Sequence, residues 1–476
     1  MPDPKLSRRS FGAALAGAFG VAVLAGCGLR SATTAAASTS TTATAGSGLF
    51  DATLVHDIDV TFEQSDYDTM IDAFLNDGDK NWIEAGVTID GTTFEKAGLR
   101  LKGNSSLKGL TKSGSTGNTG GRQQRGGGPG GSVSAENPQD LPWLVRLDKF
   151  TDGQAYGGYT DFVVRSNTTK SALNEAVALE LLGLAGLATQ RSASTRLTVN
   201  GGDQVLRLIV ENLSDKWDAD NFGAAGILYK AESGGDYAYR GEDVESYKDV
   251  FDQETDSDNP NLAPLIAFLK FINQSKDEAF ASGLASHLDV SAFATYLAFQ
   301  ELVKNSDDID GPGNNSYLRY TTGKDQFTVV AWDHNLAFGG MGGGGRGGNP
   351  GGDQMQPPAD GGQMQPPADG GQMQPPADGG EMQPPADGGQ RDGNGGGGGR
   401  PGGRSNILVQ RFNADTTFKA AYEKALTDLK AALYTSGKAA EILQRRAAVL
   451  TAHAGDLVPA DTVTSESDTI RAYFTA

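Results

Sequence analysis

Cysteine is almost missing from this chain, since Cys27 is the only thiol in 476 residues. No intrachain disulfide can form, so the fold must be held by packing and hydrogen bonding. Positive charge is short as well, with 40 Lys and Arg against 59 Asp and Glu and a formal net charge of -19. No basic patch emerges to neutralise phosphates, which argues against a nucleic-acid partner. Also lacking is the Glu that would complete a calcium loop. Asp308-Ile309-Asp310-Gly311 imitates part of an EF-hand, but with Gly311 at loop position six the twelfth position is Tyr317. The pattern counts against an EF-hand and leaves an irregular calcium site open.

Long apolar runs are scarce too. The stretch from Gly12 to Ala25 is short and rich in Ala and Gly, which speaks against a transmembrane anchor over Phe11 to Leu29. Around it the residues read as an address. Ser7-Arg8-Arg9-Ser10-Phe11 resembles a twin-arginine export signal, and Leu24-Ala25-Gly26-Cys27 resembles a lipobox. We therefore expect residues 1–27 to be a signal peptide, Cys27 to carry lipid, and the protein to sit on the outer face of the cytoplasmic membrane or in the cell envelope. Residues 28–49, rich in Ser, Thr and Ala, read as a disordered tether. Its hydroxyls, Ser31 to Ser47, are candidate modification sites.

Glycine, by contrast, is abundant at 66 residues and concentrates in two places. Residues 108–139 include GGRQQRGGGPGG, and residues 339–404 repeat a nine-residue unit ending MQPPADGG at Met355, Met364, Met373 and Met382. Each unit offers one Met and one Ala as apolar material, too little for a solenoid. Both segments read as low-complexity insertions in a domain spanning 50–476.

Between them the pattern is α+β. Leu54, His56, Ile58, Val60 and Phe62 alternate as in a half-buried strand. Further strands are expected at Trp82 to Ile89, Gly98 to Lys102, Trp143 to Phe150, Asp161 to Arg165, Thr195 to Val199 and Val205 to Glu211. A helix over Gln64 to Leu75 would be capped by Ser65 or Asp66. Another over Ser171 to Leu184 places Leu173, Val177, Leu181 and Leu184 on one stripe. Helices dominate after Asn259, at Leu262 to Asn273, Lys276 to Leu284, Val290 to Lys304, Thr417 to Tyr434 and Ala439 to His453. The order implies a β-rich lobe followed by a helical lobe.

The densest chemistry lies between Asn305 and Gly339. Asp310 is followed five residues later by Asn315, and Asp333 stands beyond the alternating strand FTVVAW. An Asp, an Asn at plus five and a second Asp past a hairpin is the arrangement protein kinases use: one Asp handles the acceptor proton, the other two residues hold magnesium on phosphates. The same residue types also make turns, so an acidic hairpin turn remains the plain reading. Asp307 and Asp308 beside Asp310 leave the catalytic assignment open to a one-register shift.

Several phrases carry a wider likeness. Gly98-Leu-Arg-Leu-Lys-Gly-Asn-Ser-Ser106 is followed by Leu144-Val-Arg-Leu-Asp-Lys149, Val199-Asn-Gly201, Val210-Glu-Asn212 and Leu228-Tyr-Lys230. Asp310-x4-Asn315, Trp332-Asp-His-Asn335 and Phe338-Gly339 complete the series. Together, from roughly Leu54 to Ala476 outside the glycine-rich segments, they resemble the CotH family of spore-coat protein H kinases. The resemblance implies an atypical protein-kinase-like, two-lobed fold. It implies Asp310 as the catalytic Asp, Asn315 and Asp333 as magnesium ligands, and ATP as phosphate donor. A basic residue of LVRLDK should reach the phosphates, and alternation leaves both Arg146 and Lys149 as candidates. The RLKGNSS turn could approach phosphates through the Gly103 amide with Lys102 or Ser105, or could be a tight turn alone. Glu175 or Glu180 is the candidate helix partner of the basic residue, a solvated helix face being the alternative. Glu211 would lie near adenine, at a connection between lobes.

One departure stands out. Family members commonly carry Trp-Asp-x-Asp where this chain has Trp332-Asp333-His334-Asn335. Asn335 offers an oxygen without charge, which implies a different metal affinity or metal number; His334 is expected to pack or cap. Three functions are in view: Ser/Thr phosphoryl transfer to surface, envelope or coat proteins, a non-catalytic kinase-shaped scaffold lipoprotein, and a metal-dependent transferase using another phosphate donor.

Overall fold

Alternation along the first strand sets the architecture, because a half-buried strand needs partners on both edges and a core on one face. The computed structural model describes residues 48–107, 109–112, 133–232, 235–310, 315–340 and 406–475. The signal peptide, Cys27, nearly all of the tether and most of both glycine-rich segments lie outside the described residues. So does the side chain of Ser105. Strand β1 (Val55–Thr61) buries His56, Ile58 and Val60 and turns Asp57, Asp59 and Thr61 to solvent. Leu54, expected to begin the alternation, sits in the preceding turn and is exposed.

Helix α1 (Gln64–Asp77) begins after Glu63, whose side chain makes no cap bond, so neither Ser65 nor Asp66 caps it. There follow β2 (Ile83–Ile89), β3 (Thr92–Leu101), β4 (Trp143–Arg146), β5 (Asp161–Val164), α2 (Leu173–Leu184), β6 (Ser192–Val199) and β7 (Val205–Val210). The strand expected over Trp143 to Phe150 stops at Arg146, where the chain turns and Lys149 N bonds Arg146 O at 3.3 Å. The strands form a closed barrel in the order β1-β2-β3-β4-β5-β7-β6. A parallel β1–β6 pairing, with Val55 opposite Ser194 and Val60 opposite Val199, closes it. Ile58, Val87, Leu99, Val145, Phe162, Leu197 and Ile209 fill the interior. Leu49 from the expected tether joins this core, as do Leu110, Val133 and Ala135 at the borders of the first glycine-rich segment.

Two glycines in β3 and just beyond it are there for space or backbone angle. A Cβ on Gly98 would lie 2.5 Å from Lys149 Cβ and 2.9 Å from the Trp82 ring. Gly103 has φ +99, a conformation L side chains rarely adopt.

Helix α3 (Asp215–Phe222) leads to β8 (Gly226–Ala231) and β9 (Phe251–Gln253), then to α4 (Ala263–Gln274), α5 (Asp277–His287) and α6 (Val290–Leu302). The hairpin β10 (Ser316–Thr321) and β11 (Gln326–Ala331) completes a four-stranded antiparallel sheet in the order β11-β10-β8-β9. Helices α7 (Ile407–Ala414), α8 (Thr416–Leu429), α9 (Lys438–His453) and α10 (Ala460–Ala472) end the described chain. The protein is thus α+β, sheet-rich first and helical later. A second core, centred on α6, holds the helices to the small sheet. On α2, Leu173, Val177 and Leu181 are buried as the stripe predicts, while Leu184 at the helix end is exposed.

Candidate active site

Arg165 immediately follows β5, and its position there decides which charges meet. Its Nε donates to Glu175 Oε2 of α2 at 3.0 Å, and its Nη2 donates to Asp333 Oδ1 beyond the β10–β11 hairpin. Arg165, Glu175 and Asp333 keep only 12%, 6% and 15% side-chain exposure, so water screens this ion triad weakly. One guanidinium faces two carboxylates. Burial first, then the neighbouring Asp333, pushes Glu175 up to about 7, against the pull of Arg165. Asp333 itself sits at φ +61, a left-handed conformation uncommon for a non-glycine residue and typical of functional turns.

The loop carrying Asp333 is pinned to the segment carrying Arg165. The Asn335 carbonyl accepts from Thr168 Oγ1 at 2.7 Å and from Asn174 Nδ2 at 2.5 Å. The start of α2 is fixed in turn by Glu466 of α10, which accepts from Lys170 N and Ser171 N, both at 3.0 Å. A carboxylate at a helix N-terminus also complements the helix dipole.

Cations gather beside this triad. Lys102 Nζ and the Arg165 guanidinium lie 5.8 and 5.7 Å from the Trp332 ring centroid. Lys80 Nζ donates to Asn104 Oδ1 of the RLKGNSS turn at 2.5 Å, and Arg100 Nε is buried without a hydrogen-bond partner. Among the described residues, Lys80, Arg100 and Lys102 form no ion pair. Burial, then Lys230 and Lys102, pushes Lys80 down to about 8. Burial also holds Lys102 down, with Lys230 and Arg100 adding to it and Glu254 opposing. On the facing sheet Lys230 pairs with Glu232 and stands opposite Asp252 across β8–β9. Asp252 is pushed up by burial and by Glu232. Lys80, Arg100 and Lys102 thus lie close together without a direct ion pair among the described residues, and Lys80 and Lys102 have lowered basicity.

The other expected site residues are placed as follows. Asp310 is half-buried and its Oδ1 accepts from Asn406 N, at the start of α7, at 2.6 Å. Asn315 Nδ2 donates to Asp307 Oδ2 at 2.8 Å. Arg146 is exposed and paired with Asp148 at 2.9 Å, while Lys149 is exposed with its Nζ 5.3 Å from the Trp82 ring centroid. Neither LVRLDK residue joins Glu175; Arg165, one strand later, does. Glu180 binds Arg445 and Arg446 of α9. Glu211 accepts from Arg191 N at 2.6 Å and Arg191 Nε at 2.9 Å.

Among the described residues, no three His, Cys, Asp or Glu side chains form a metal cluster. Magnesium requires less than that, since it keeps several waters and takes one or two carboxylates plus phosphate oxygens. Asp333 and Asn315 each offer a hard oxygen of the kind such an ion takes.

Behind Asp333, His334 is fully buried, and burial pushes its imidazole down to about 4, so it is neutral. Its Nε2 lies 3.3 Å from Gln300 Nε2 of α6, and Gln300 Oε1 accepts from Asn305 Nδ2 at 3.0 Å.

Arg165, Lys80 and Arg100 were not singled out from sequence. A signal for Arg165 exists, a basic residue ending the strand DFVVR just before α2. Lys80 and Lys230 are separated by 150 positions and leave none.

A family model described as CotH kinase protein matches residues 123–455, more than half of the chain. The RLKGNSS turn and the first three strands precede the matched residues. No curated protein matches the chain.

Proposed function

The chain belongs to the CotH kinase family, and on that footing we propose that it is an ATP- and magnesium-dependent Ser/Thr protein kinase with a two-lobed, atypical kinase-like fold. Its acceptors are surface, envelope or coat proteins, and Cys27 carries the lipid that holds it to the membrane. The observation that carries the reading is Arg165, shared between Glu175 of α2 and Asp333 beyond the hairpin. Kinases likewise pair a phosphate-binding cation with a helix carboxylate and set a metal-binding Asp beside it.

In this reading Arg165 and Lys102 bind phosphate oxygens, and the Gly103 turn brings backbone amides toward them. Asp333 and Asn315 would hold magnesium, which when bound would neutralise phosphate charge. Asp310 orients the acceptor hydroxyl and takes its proton as the new oxygen–phosphorus bond forms and the bond to the leaving diphosphate breaks. The protein's work is positioning and electrostatic stabilisation.

Wild-type protein incubated with ATP, magnesium and envelope extract should label Ser/Thr, and Asp310→Asn and Asp333→Asn should each lower transfer by about 10² or more. Folded wild type that neither binds nor transfers phosphate from ATP sinks the kinase reading. That outcome would favour the scaffold reading, which has its own support: Asp310 already anchors Asn406, and Asn335 replaces a usual carboxylate.

A further inference from the structure

Helix α6 is buried almost all round, with Phe293, Ala294, Leu297, Ala298, Phe299 and Leu302 in the core. Two polar groups interrupt that surface, the Tyr296 hydroxyl and the Gln300 amide. They are four residues apart and therefore on one helix face. Each is spent on a loop of the site. Tyr296 Oη accepts from Ile309 N at 3.1 Å, holding the residue before Asp310. Gln300 uses both ends of its amide: Oε1 accepts from Asn305 Nδ2, at the head of the Asp310 loop, and Nε2 meets His334 Nε2, directly after Asp333. Gln300, Asn305 and His334 keep 2%, 1% and 0% exposure, so water cannot stand in for a lost bond.

We infer that Gln300 is a positioning residue that sets the Asp310 and Asp333 loops at a fixed separation. The inference rests on the kinase reading for its consequence in catalysis, but not for its physical content. A glutamine is suited to the task because its amide is a donor at one end and an acceptor at the other, in one plane. Its Oε1 accepts from Asn305 Nδ2, and its Nε2 faces His334 Nε2, to which it can donate when that ring nitrogen carries no proton. A side chain with only one of these capacities leaves a buried group unpaired. The backbone reinforces the same junction: Asn305 N bonds Gln300 O at 3.0 Å, and Phe338 N bonds Val303 O at 2.8 Å. Both loops therefore hang from one turn at the end of α6.

Amide hydrogen exchange on the full chain tests this without reference to activity. Gln300→Met, similar in volume but without hydrogen bonds, should speed exchange about tenfold in both 305–310 and 333–338, while the barrel strands stay unchanged. Gln300→Glu can still accept from Asn305, and from His334 when Nε2 carries the ring proton, so it should restore much of the protection. Loosening of one loop alone, loosening spread through the barrel, or equal effects of Met and Glu overturns the inference. If Gln300→Met does not fold, Asn305→Ala takes its place and must loosen 333–338 as well as its own loop. With Mg·ATP and a phosphorylatable acceptor, Gln300→Met should lower kcat by about 10–100-fold with the KM for nucleotide within about twofold of wild type. A wild type without transfer activity defeats the kinase reading only, and the exchange result then decides the inference alone.

Discussion

Arg165 has one guanidinium for two buried carboxylates, and that shortage governs what happens when it is removed. Arg165→Met leaves Glu175 and Asp333 uncompensated, which should destabilise the fold by about 3–5 kcal/mol in urea titrations and abolish transfer. Adding Glu175→Gln should recover part of the stability and none of the transfer, separating the structural use of Arg165 from its proposed use on phosphate. A second residue-scale expectation concerns Asp90, in the turn between β2 and β3. Burial acts to raise its carboxyl. Bonds from His56 Nδ1, Asp57 N and Tyr156 Oη more than offset this and hold it below the usual carboxylate range. A group depressed on folding contributes fully above its unfolded value, about 3.9, and loses that contribution as pH falls through the lower folded value. Tyr156→Phe, which deletes a 2.8 Å bond to Asp90, should therefore move the acid-unfolding midpoint to higher pH while leaving the neutral-pH spectrum unchanged.

At the scale of elements, β3 delivers Arg100 and Lys102 to the site, and its approach to its neighbours is set by Gly98. Gly98→Ala puts a methyl into Lys149 and Trp82 and should cost about 1–3 kcal/mol of thermal stability, with weaker nucleotide binding because the RLKGNSS turn shifts with the strand. Much of the element pattern was legible in sequence. Alternation in β1 and the 3.6-residue stripe of α2 are local signals, and both match the elements observed. Less legible were α3, β8 and β9, the last only three residues long, whereas α10 falls within the helical stretch expected from Ser405 to the terminus. The site divides in the same way. Asp310, Asn315 and Asp333 lie near one another in sequence, so spacing alone could nominate them as candidates. The partner of Glu175 could not, because Arg146, Lys149 and Arg165 all lie at or just past strand ends, and which one meets α2 depends on how the strands are arranged in space. Strand alternation in LVRLDK also misled, since the chain has already turned at Leu147.

For the molecule as a whole, the last helix supports the site from behind. Glu466 of α10 holds the start of α2, and the family match ends at 455, before that helix begins. Truncation after Gly455 should therefore lower Mg·ATP affinity by at least about tenfold, measured by calorimetry, and Glu466→Ala should reproduce a part of that loss. Closure of the barrel has a different consequence, one of timing. Strand β1 finds β2 at once, but its other neighbour, β6, emerges about 140 residues later. At roughly 5–20 residues per second of synthesis, the far edge of β1 waits roughly seven to thirty seconds for its partner. Throughout that interval the nascent chain displays an open strand edge that invites pairing with other chains, so the hazard of misassembly is greatest before the first half of the protein has been made.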